Sequence, residues 1–445
     1  MIYLLDIILL GNLIIAYKSF KTIVSPPVLM GGGMLIASLV ATLYYDEFDM
    51  ESMVFDSVLI LGFGTMFYTI CCILLRSKEK TKYINKKRNK IDLEKYKVNN
   101  LIVIYYILDI MAIACVILKM YSLMSYFGSG LAASELIYER AQDGGVNGSL
   151  HFQFPIYVTL LAYIGRTLSF FTFWLLSLSL LTTKKRKYKR FQFLLIIHTV
   201  FIVLDGVTQG VKDAIFDPLF RFILVFLFVY FAKRSSMRMN KKIILSLGVA
   251  LISVSLGFKS ISAIIGKVGI EDRDTSDMFA EYLGAEIKNF DIYIQGYDGN
   301  PKNKYWGEST FSRFYMEIIP NYRPTQGVFQ DIGRMHLGNV YTQWYHFHKD
   351  FDTIGLLIMT FVIAFVSMMT YNYALKSMNN PAKPNLGLFL YSSMGMCIFM
   401  SFFSTRFTQN FFTLFFLRRV LVLWFLIYIF NHHTAIIKKS ILISH

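Results

Sequence analysis

Between Ile270 and Gly355 lies a polar, aromatic-rich stretch in which Glu308, His336 and Asp350 could each accept a proton from a hydroxyl, the work of a general base. His336 and Asp350 rank first because they flank Tyr341 and Thr342, with Glu317 a further acid of the same stretch. Asp350 has a plain alternative: an acid just ahead of a helix starting at Asp352 or Thr353 can cap that helix and favour its dipole. His346 and His348 alternate without a third ligand at suitable spacing, so no metal site is expected. Signatures of nucleotide-driven transport, of a serine nucleophile elbow and of an H-E-x-x-H metalloprotease are all missing from the sequence.

A second set of residues is cationic. Arg166, Lys212, Arg221, Lys259, Arg406, Arg418 and Arg419 fall within or beside strongly apolar runs, where an ionisable side chain is costly and marks function by default. A guanidinium fork matches phosphate oxygens, so the set suggests a lipid-linked phosphate as partner. The alternative for each is a nearby acid, with Asp109, Asp205, Asp213 and Asp217 as candidates, or snorkelling to the interface. A third set is aromatic. Trp306, Tyr341 and Trp344 offer flat faces with polar handles that suit sugar rings and equally suit the membrane interface.

The elements that must position these residues are membrane helices. Of the 445 residues 55% are hydrophobic and 16% aromatic, with mean hydropathy +0.48, more apolar surface than a soluble core can hide. Runs long enough to cross a hydrocarbon core are predicted at 2–17, 23–45, 53–75, 98–120, 155–182, 191–208, 215–232, 243–265, 353–375, 386–404 and 411–431. Basic residues alternate with them. Arg76 to Lys97 holds ten Lys or Arg against three acids, Lys184 to Arg190 six against none, and Lys233 to Lys242 five against none. The opposite side carries Asp46, Glu47, Asp49 and Glu51, and the 266–352 loop has thirteen acids against nine bases. By the positive-inside rule the N-terminus and the 266–352 loop lie outside and the C-terminus inside. The +16 net charge therefore reads as membrane sidedness, and no nucleic-acid partner is expected. Cys71, Cys72, Cys115 and Cys397 all fall in apolar runs without disulfide or zinc spacing.

No internal repeat shows, so 1–445 reads as a single helical membrane domain of about eleven spans carrying one large outer loop, 266–352. A loop of that length is expected to be functional or to hold short helices of its own. In 277–291 the apolar residues Phe279, Leu283, Ile287 and Phe290 recur every three or four positions, predicting an amphipathic helix on the membrane surface. Ser309 to Ile319 reads as a second short helix.

Two segments of this loop carry a resemblance. Trp306, Gly307, Thr310 and Phe311 form W-G-x-x-T-F; Gly338, Asn339, Tyr341 and Thr342 form G-N-x-Y-T, followed after seven residues by Asp350, Phe351 and, four further on, Gly355. This wording is similar to that of bacterial oligosaccharide repeat-unit polymerases of the O-antigen polymerase (Wzy) type, in which the last segment reads D-F-G-x-x-G. Asp352 stands where that family usually has Gly. The resemblance runs in order from about Val203 to Phe430; the first 200 residues match in hydropathy alone. It implies an all-α polytopic fold like that of the polyprenol-dependent (GT-C-like) glycosyltransferases, working without metal or cofactor at the periplasmic face of the bacterial inner membrane. The implied donor and acceptor are glycans on undecaprenyl pyrophosphate, joined into O-antigen or a related surface polysaccharide for lipopolysaccharide. Further implied partners are membrane lipid, a Wzz-type chain-length regulator and a flippase. On that reading Arg166, Lys212, Arg221, Arg406 and Arg418 hold the pyrophosphate, His336, Asp350 or Glu308 serves as base, and Trp306, Tyr341 and Trp344 bind glycan. An O-antigen ligase acting on lipid A core and a polysaccharide flippase are the rival readings; the flippase would be expected to show two pseudo-repeats.

Overall fold

A computed structural model describes residues 1–77, 98–137, 139, 152–182, 187–209, 213–234, 236–237, 240, 245, 275–320, 322–325 and 327–443. The described residues are mostly helical, 76%, and among them nine helices are long and apolar enough to cross a membrane. It is a multi-pass membrane protein. In chain order the helices are α1 (Ile2–Phe20), α2 (Pro26–Leu43), α3 (Phe55–Leu74), α4 (Val98–Phe127), α5 (Ile156–Thr182), α6 (Lys187–Val207), α7 (Asp213–Arg234), α8 (Thr275–Leu283), α9 (Ala285–Ile294), α10 (Ser312–Ile318), α11 (Gln343–Lys376), α12 (Leu386–Phe399), α13 (Arg406–Phe411) and α14 (Leu414–Ile443). Nine of the expected spans match α1 to α7, α11 and α14. The span expected at 386–404 is the shorter apolar helix Leu386–Phe402, and the one at 243–265, with Lys259, lies outside the described residues except for Leu245.

The chain divides into two compact units. The first comprises Met1–Lys78, Arg273–Tyr373 and Ser393–Arg418. Its α1, α2 and α3 pack together, and α8 and α9 lie on α2. Here the sequence expectation is corrected: 277–291 is no single surface helix. It breaks at Gly284, and Ala285 to Asp291 are buried throughout. Polar side chains explain why a helix with so weak an apolar face goes inside. Asp291 accepts from Val54 N at 3.0 Å and Ser57 Oγ at 2.8 Å, Lys288 Nζ donates to the Asp49 carbonyl at 2.7 Å, and Asn289 Nδ2 donates to the carbonyls of Leu337 at 3.1 Å and Val340 at 2.8 Å. These bonds offset the burial of Asp291, Lys288 and the Asn289 amide nitrogen, while Asn289 Oδ1 and both Glu286 carboxylate oxygens have no hydrogen-bond partner among the described residues. The Asn289 bonds also fix the return strand of a two-stranded hairpin, β1 (Gln330–Ile332) and β2 (Met335–Gly338), paired antiparallel.

The second unit comprises Glu79–Asp272, Ala374–Ser392 and Arg419–His445. In it α4 packs on α6, and α5 packs on α4, α6 and α7. Trp174, fully buried, donates from Nε1 to the Pro381 carbonyl at 3.0 Å.

Candidate functional site

The first unit gathers its titratable groups around the N-terminal part of α11. This helix starts at Gln343, nine residues ahead of the expected outer boundary, because Gln343, Trp344 and Phe347 are buried and supply an anchored face that hydropathy alone does not register. It bends at Asp352, whose backbone sits at φ 55°, ψ −167°, a combination open essentially to glycine alone. The bend throws Phe351 back onto the following turn, where a Cβ added to Gly355 would lie 2.0 Å from that of Phe351. Both positions at which the D-F-G-x-x-G wording has glycine are thus places where this backbone calls for one. Gly307, at φ 71°, lies beneath the Phe351 ring, 3.0 Å from where its own Cβ would stand.

W-G-x-x-T-F and D-F therefore fold into each other. The Asp350 carboxylate accepts the backbone N–H groups of Thr310 at 2.6 Å and Ser309 at 3.3 Å and the side-chain amide of Asn303. One helical turn back on α11, His346 Nδ1 shares a 2.6 Å hydrogen bond with Ser309 Oγ, and the His346 carbonyl accepts from Thr310 Oγ1 at 3.2 Å. His348 Nδ1 lies 2.9 Å from Tyr293 Oη. Burial raises the Tyr293 phenol, and the neighbouring Asp298, Asp352 and Asp350 raise it further, so it stays a neutral donor. Lys349 Nζ donates to Tyr345 Oη at 3.0 Å. The result is a carboxylate, two imidazoles, a hydroxyl and an ammonium on one short helical stretch, a set able to receive and pass on a proton.

Asp350 is the expected base that stands in this cluster. Its carboxylate is engaged by the Ser309 and Thr310 N–H groups and by Asn303. His336 stands elsewhere. It lies on β2, where its ring meets Asp331 and stacks on Phe329 at 5.8 Å while its N–H donates to Glu281 at 2.8 Å. Glu308, buried, accepts from Lys304 N, Tyr305 N, Tyr322 Oη, Thr325 N and Thr325 Oγ1. Burial opposes its charge, but these donors prevail and hold the carboxyl below the usual carboxylate range. Such a group clamps a loop and is a poor proton acceptor. Glu317 spends its carboxylate on the first N–H groups of α14, from Leu414 at 2.5 Å and Phe415 at 3.2 Å.

The aromatic set divides. Trp306 is 76% exposed and rests against Phe351 with ring centroids 4.8 Å apart. Tyr341 and Trp344 are buried. Tyr341 stacks on Tyr345 at 4.1 Å and accepts from Asn300 Nδ2 at 2.8 Å, and Trp344 fills the space over Gly64.

In the second unit the intramembrane cations meet acids. Arg166 donates to Asp205 at 2.9 Å from Nε. Lys119, which the sequence reading passed over, binds the same carboxylate. With its amide turned to satisfy its neighbours, the Gln209 carbonyl accepts from Lys119 Nζ at 2.9 Å and Arg166 Nη2 at 3.1 Å. Two cations thus share one carboxylate. Arg221, buried, pairs with Asp217 through Nη2 and lies over Phe170 at 5.1 Å, while its Nε and Nη1 have no hydrogen-bond partner among the described residues. Arg419 lies within electrostatic range of Arg221, Arg166 and Asp217. Asp109 and His198 form a further buried pair at 3.0 Å. Lys212 lies outside the described residues. In the first unit Arg406 opens α13 with its guanidinium 5.4 Å from the Phe403 ring centroid, and Arg418 is exposed in the second turn of α14. Among the described residues no three His, Cys, Asp or Glu side chains come together as metal ligands would.

No family model, curated protein or solved structure matches the chain.

Proposed function

We propose that the protein is a membrane glycosyltransferase of the O-antigen polymerase kind, joining oligosaccharide repeat units carried on undecaprenyl pyrophosphate at the periplasmic face of a bacterial inner membrane. One observation carries the reading. The two segments whose wording resembles that family interlock around Asp350, and the position where the wording departs from it, Asp352, adopts a glycine-type backbone. In the proposed step the C–O bond from the anomeric carbon to pyrophosphate breaks, an acceptor hydroxyl oxygen bonds to that carbon, and its proton passes to the Asp350 carboxylate. His346 with Ser309, and His348 with Tyr293, provide routes for the proton onward.

The leaving pyrophosphate needs charge stabilisation more than protonation. Arg166, Lys212, Arg221, Arg406 and Arg418 are assigned to it from the sequence; within the second unit Arg221 has Nε and Nη1 without a hydrogen-bond partner among the described residues. Trp306 is left as the aromatic face for glycan. The proposed sidedness is N-terminus outside and C-terminus inside, with about eleven spans.

The test is a chromosomal deletion complemented with wild-type protein. A polymerase deletion leaves lipopolysaccharide carrying a single repeat unit where the complemented strain shows a ladder. A profile lacking even that unit would indicate the ligase or flippase reading and remove this one.

A further inference from the structure

Helix α10 buries none of its seven residues. It touches α13 and its Tyr315 ring stacks on Tyr305 at 5.4 Å, yet Phe314, Met316 and Ile318 remain 37%, 45% and 46% exposed, a large apolar load for a short helix. It is held by polar ties: Tyr315 Oη donates to the Trp306 carbonyl at 2.6 Å, and Glu317 accepts from Leu414 N and Phe415 N. Those two N–H groups are among the orphan donors at the start of α14, so the carboxylate caps α14 while fastening α10 beside it.

What covers α10 follows from its neighbour. The span window in α14 is 11% buried, the least of the nine, and a membrane-crossing helix so little covered by protein is covered by lipid. Leu414, Phe415 and Leu417 continue its exposed apolar flank up to the Glu317 tie. We infer that α10 lies in the bilayer interface as an extension of that flank, with Phe314, Met316 and Ile318 in the acyl boundary and the exposed cations Arg313 and Arg418 at the depth of lipid phosphates. Short helices with apolar residues and flanking basic residues take this position, and Arg with anionic headgroups supplies the electrostatic part. Thr310 precedes α10 by two residues and its carbonyl accepts from Thr408 Oγ1 at 2.6 Å. On the function proposed above, this sets the Asp350 cluster at headgroup depth, where a lipid-linked substrate carries its phosphates.

The experiment is site-directed spin labelling of the full chain in vesicles of phosphatidylethanolamine and phosphatidylglycerol. Single cysteines replace Phe314 and Ile318 in a background with Cys71, Cys72, Cys115 and Cys397 changed to Ala, with Lys302 as the water control and Leu421 as the lipid control. Labels at 314 and 318 are expected to collide with oxygen as often as the label at 421, and with a water-soluble nickel chelate several-fold less often than the label at 302. Nickel access equal to that at 302 would overturn the inference, and so would exclusion of both reagents, which would mean protein cover such as a second copy. If the cysteine-free background fails to fold, Phe314→Trp in the native background gives the same decision. Its added fluorescence should be quenched by brominated lipid, and emission insensitive to that lipid would overturn the assignment.

Discussion

The backbone N–H of Thr310 donates to Asp350 Oδ2 at 2.6 Å, joining residues 40 apart in the chain. Asp350 thereby has two tasks, ordering the Ser309–Thr310 turn and offering a carboxylate, and these can be separated. Asp350→Asn keeps an oxygen for the turn and removes the base. Turnover should fall by about 10²- to 10⁴-fold, the usual contribution of a positioned base, at near-normal membrane abundance. Asp350→Ala should lower abundance as well, since it strands two backbone donors. Glycan ladders scored beside immunoblots decide it; a full ladder from Asp350→Asn would remove the base assignment.

Asp352 at φ 55°, ψ −167° costs about 1–3 kcal/mol relative to an allowed backbone. Replacing it by glycine recovers that strain less about 0.5–1 kcal/mol of added chain entropy, a net stabilisation of about 1 kcal/mol. Asp352→Gly should raise the midpoint of thermal unfolding in detergent. Asp352→Asn, which removes the charge and keeps the Cβ, should not. If both rise together, charge and not backbone strain is the cause.

Much of this was legible beforehand. The apolar runs located nine of the membrane helices to within a few residues, except at the start of α11 and the ends of α4 and α14. Segment 343–351 is polar by composition, and hydropathy placed the helix start at 352 or 353. With the helix already begun at 343, His346 and Asp350 are four apart and share a face. The burial of Tyr341 and Trp344 was not legible for a related reason: rings that suit sugars also suit a core, and only the structure shows the packing over Gly64 and against Tyr345. Lys119 was passed over because one lysine in an apolar run looks like an isolated cost until Asp205 is seen beside it.

Glu308 gives a pH-dependent prediction. Its folded-state pKa is depressed below the ordinary 4.5, so its stabilisation is present above that value and is lost as pH falls through the folded pKa. Glu308→Gln should destabilise the folded chain by about 2 kcal/mol at neutral pH, the scale of hydrogen bonds to a charged group. The gap to wild type should narrow as pH falls below 4.5 and close once it has passed through the folded-state pKa. Thermal unfolding of both proteins across pH reads it; a gap constant with pH would mean that the carboxylate charge plays no part.

Sidedness is tested by thiol labelling of intact, outer-membrane-permeabilised cells in a cysteine-free background. A cysteine at the exposed Ser276 should react with an impermeant reagent, and one at Ser77, beside the basic 76–97 segment, should not. The reverse pattern would invert the topology and with it the assignment of the Asp350 cluster to the periplasm.

The strongest discrimination comes from Arg221 and Asp217. A buried arginine paired only for structure would, when neutralised, leave Asp217 short of its partner, and removing one member of such a pair costs about 3–5 kcal/mol. Arg221→Gln would then lower abundance, and Asp217→Asn combined with it would restore both abundance and ladder. An arginine that also holds a phosphate through its unused Nε and Nη1 behaves differently. The double variant regains abundance while the ladder stays lost, because an anion contact worth about 1.5–3 kcal/mol is gone, roughly ten- to more than a hundredfold in turnover at about 1.4 kcal/mol per decade. Arg221→Lys sharpens the contrast. It keeps the charge for Asp217 but lacks the two-pronged fork, so abundance should hold while the ladder shortens. A full ladder from Arg221→Lys, or from the double variant, would reduce Arg221 to a partner of Asp217 and leave the anion to the remaining cations.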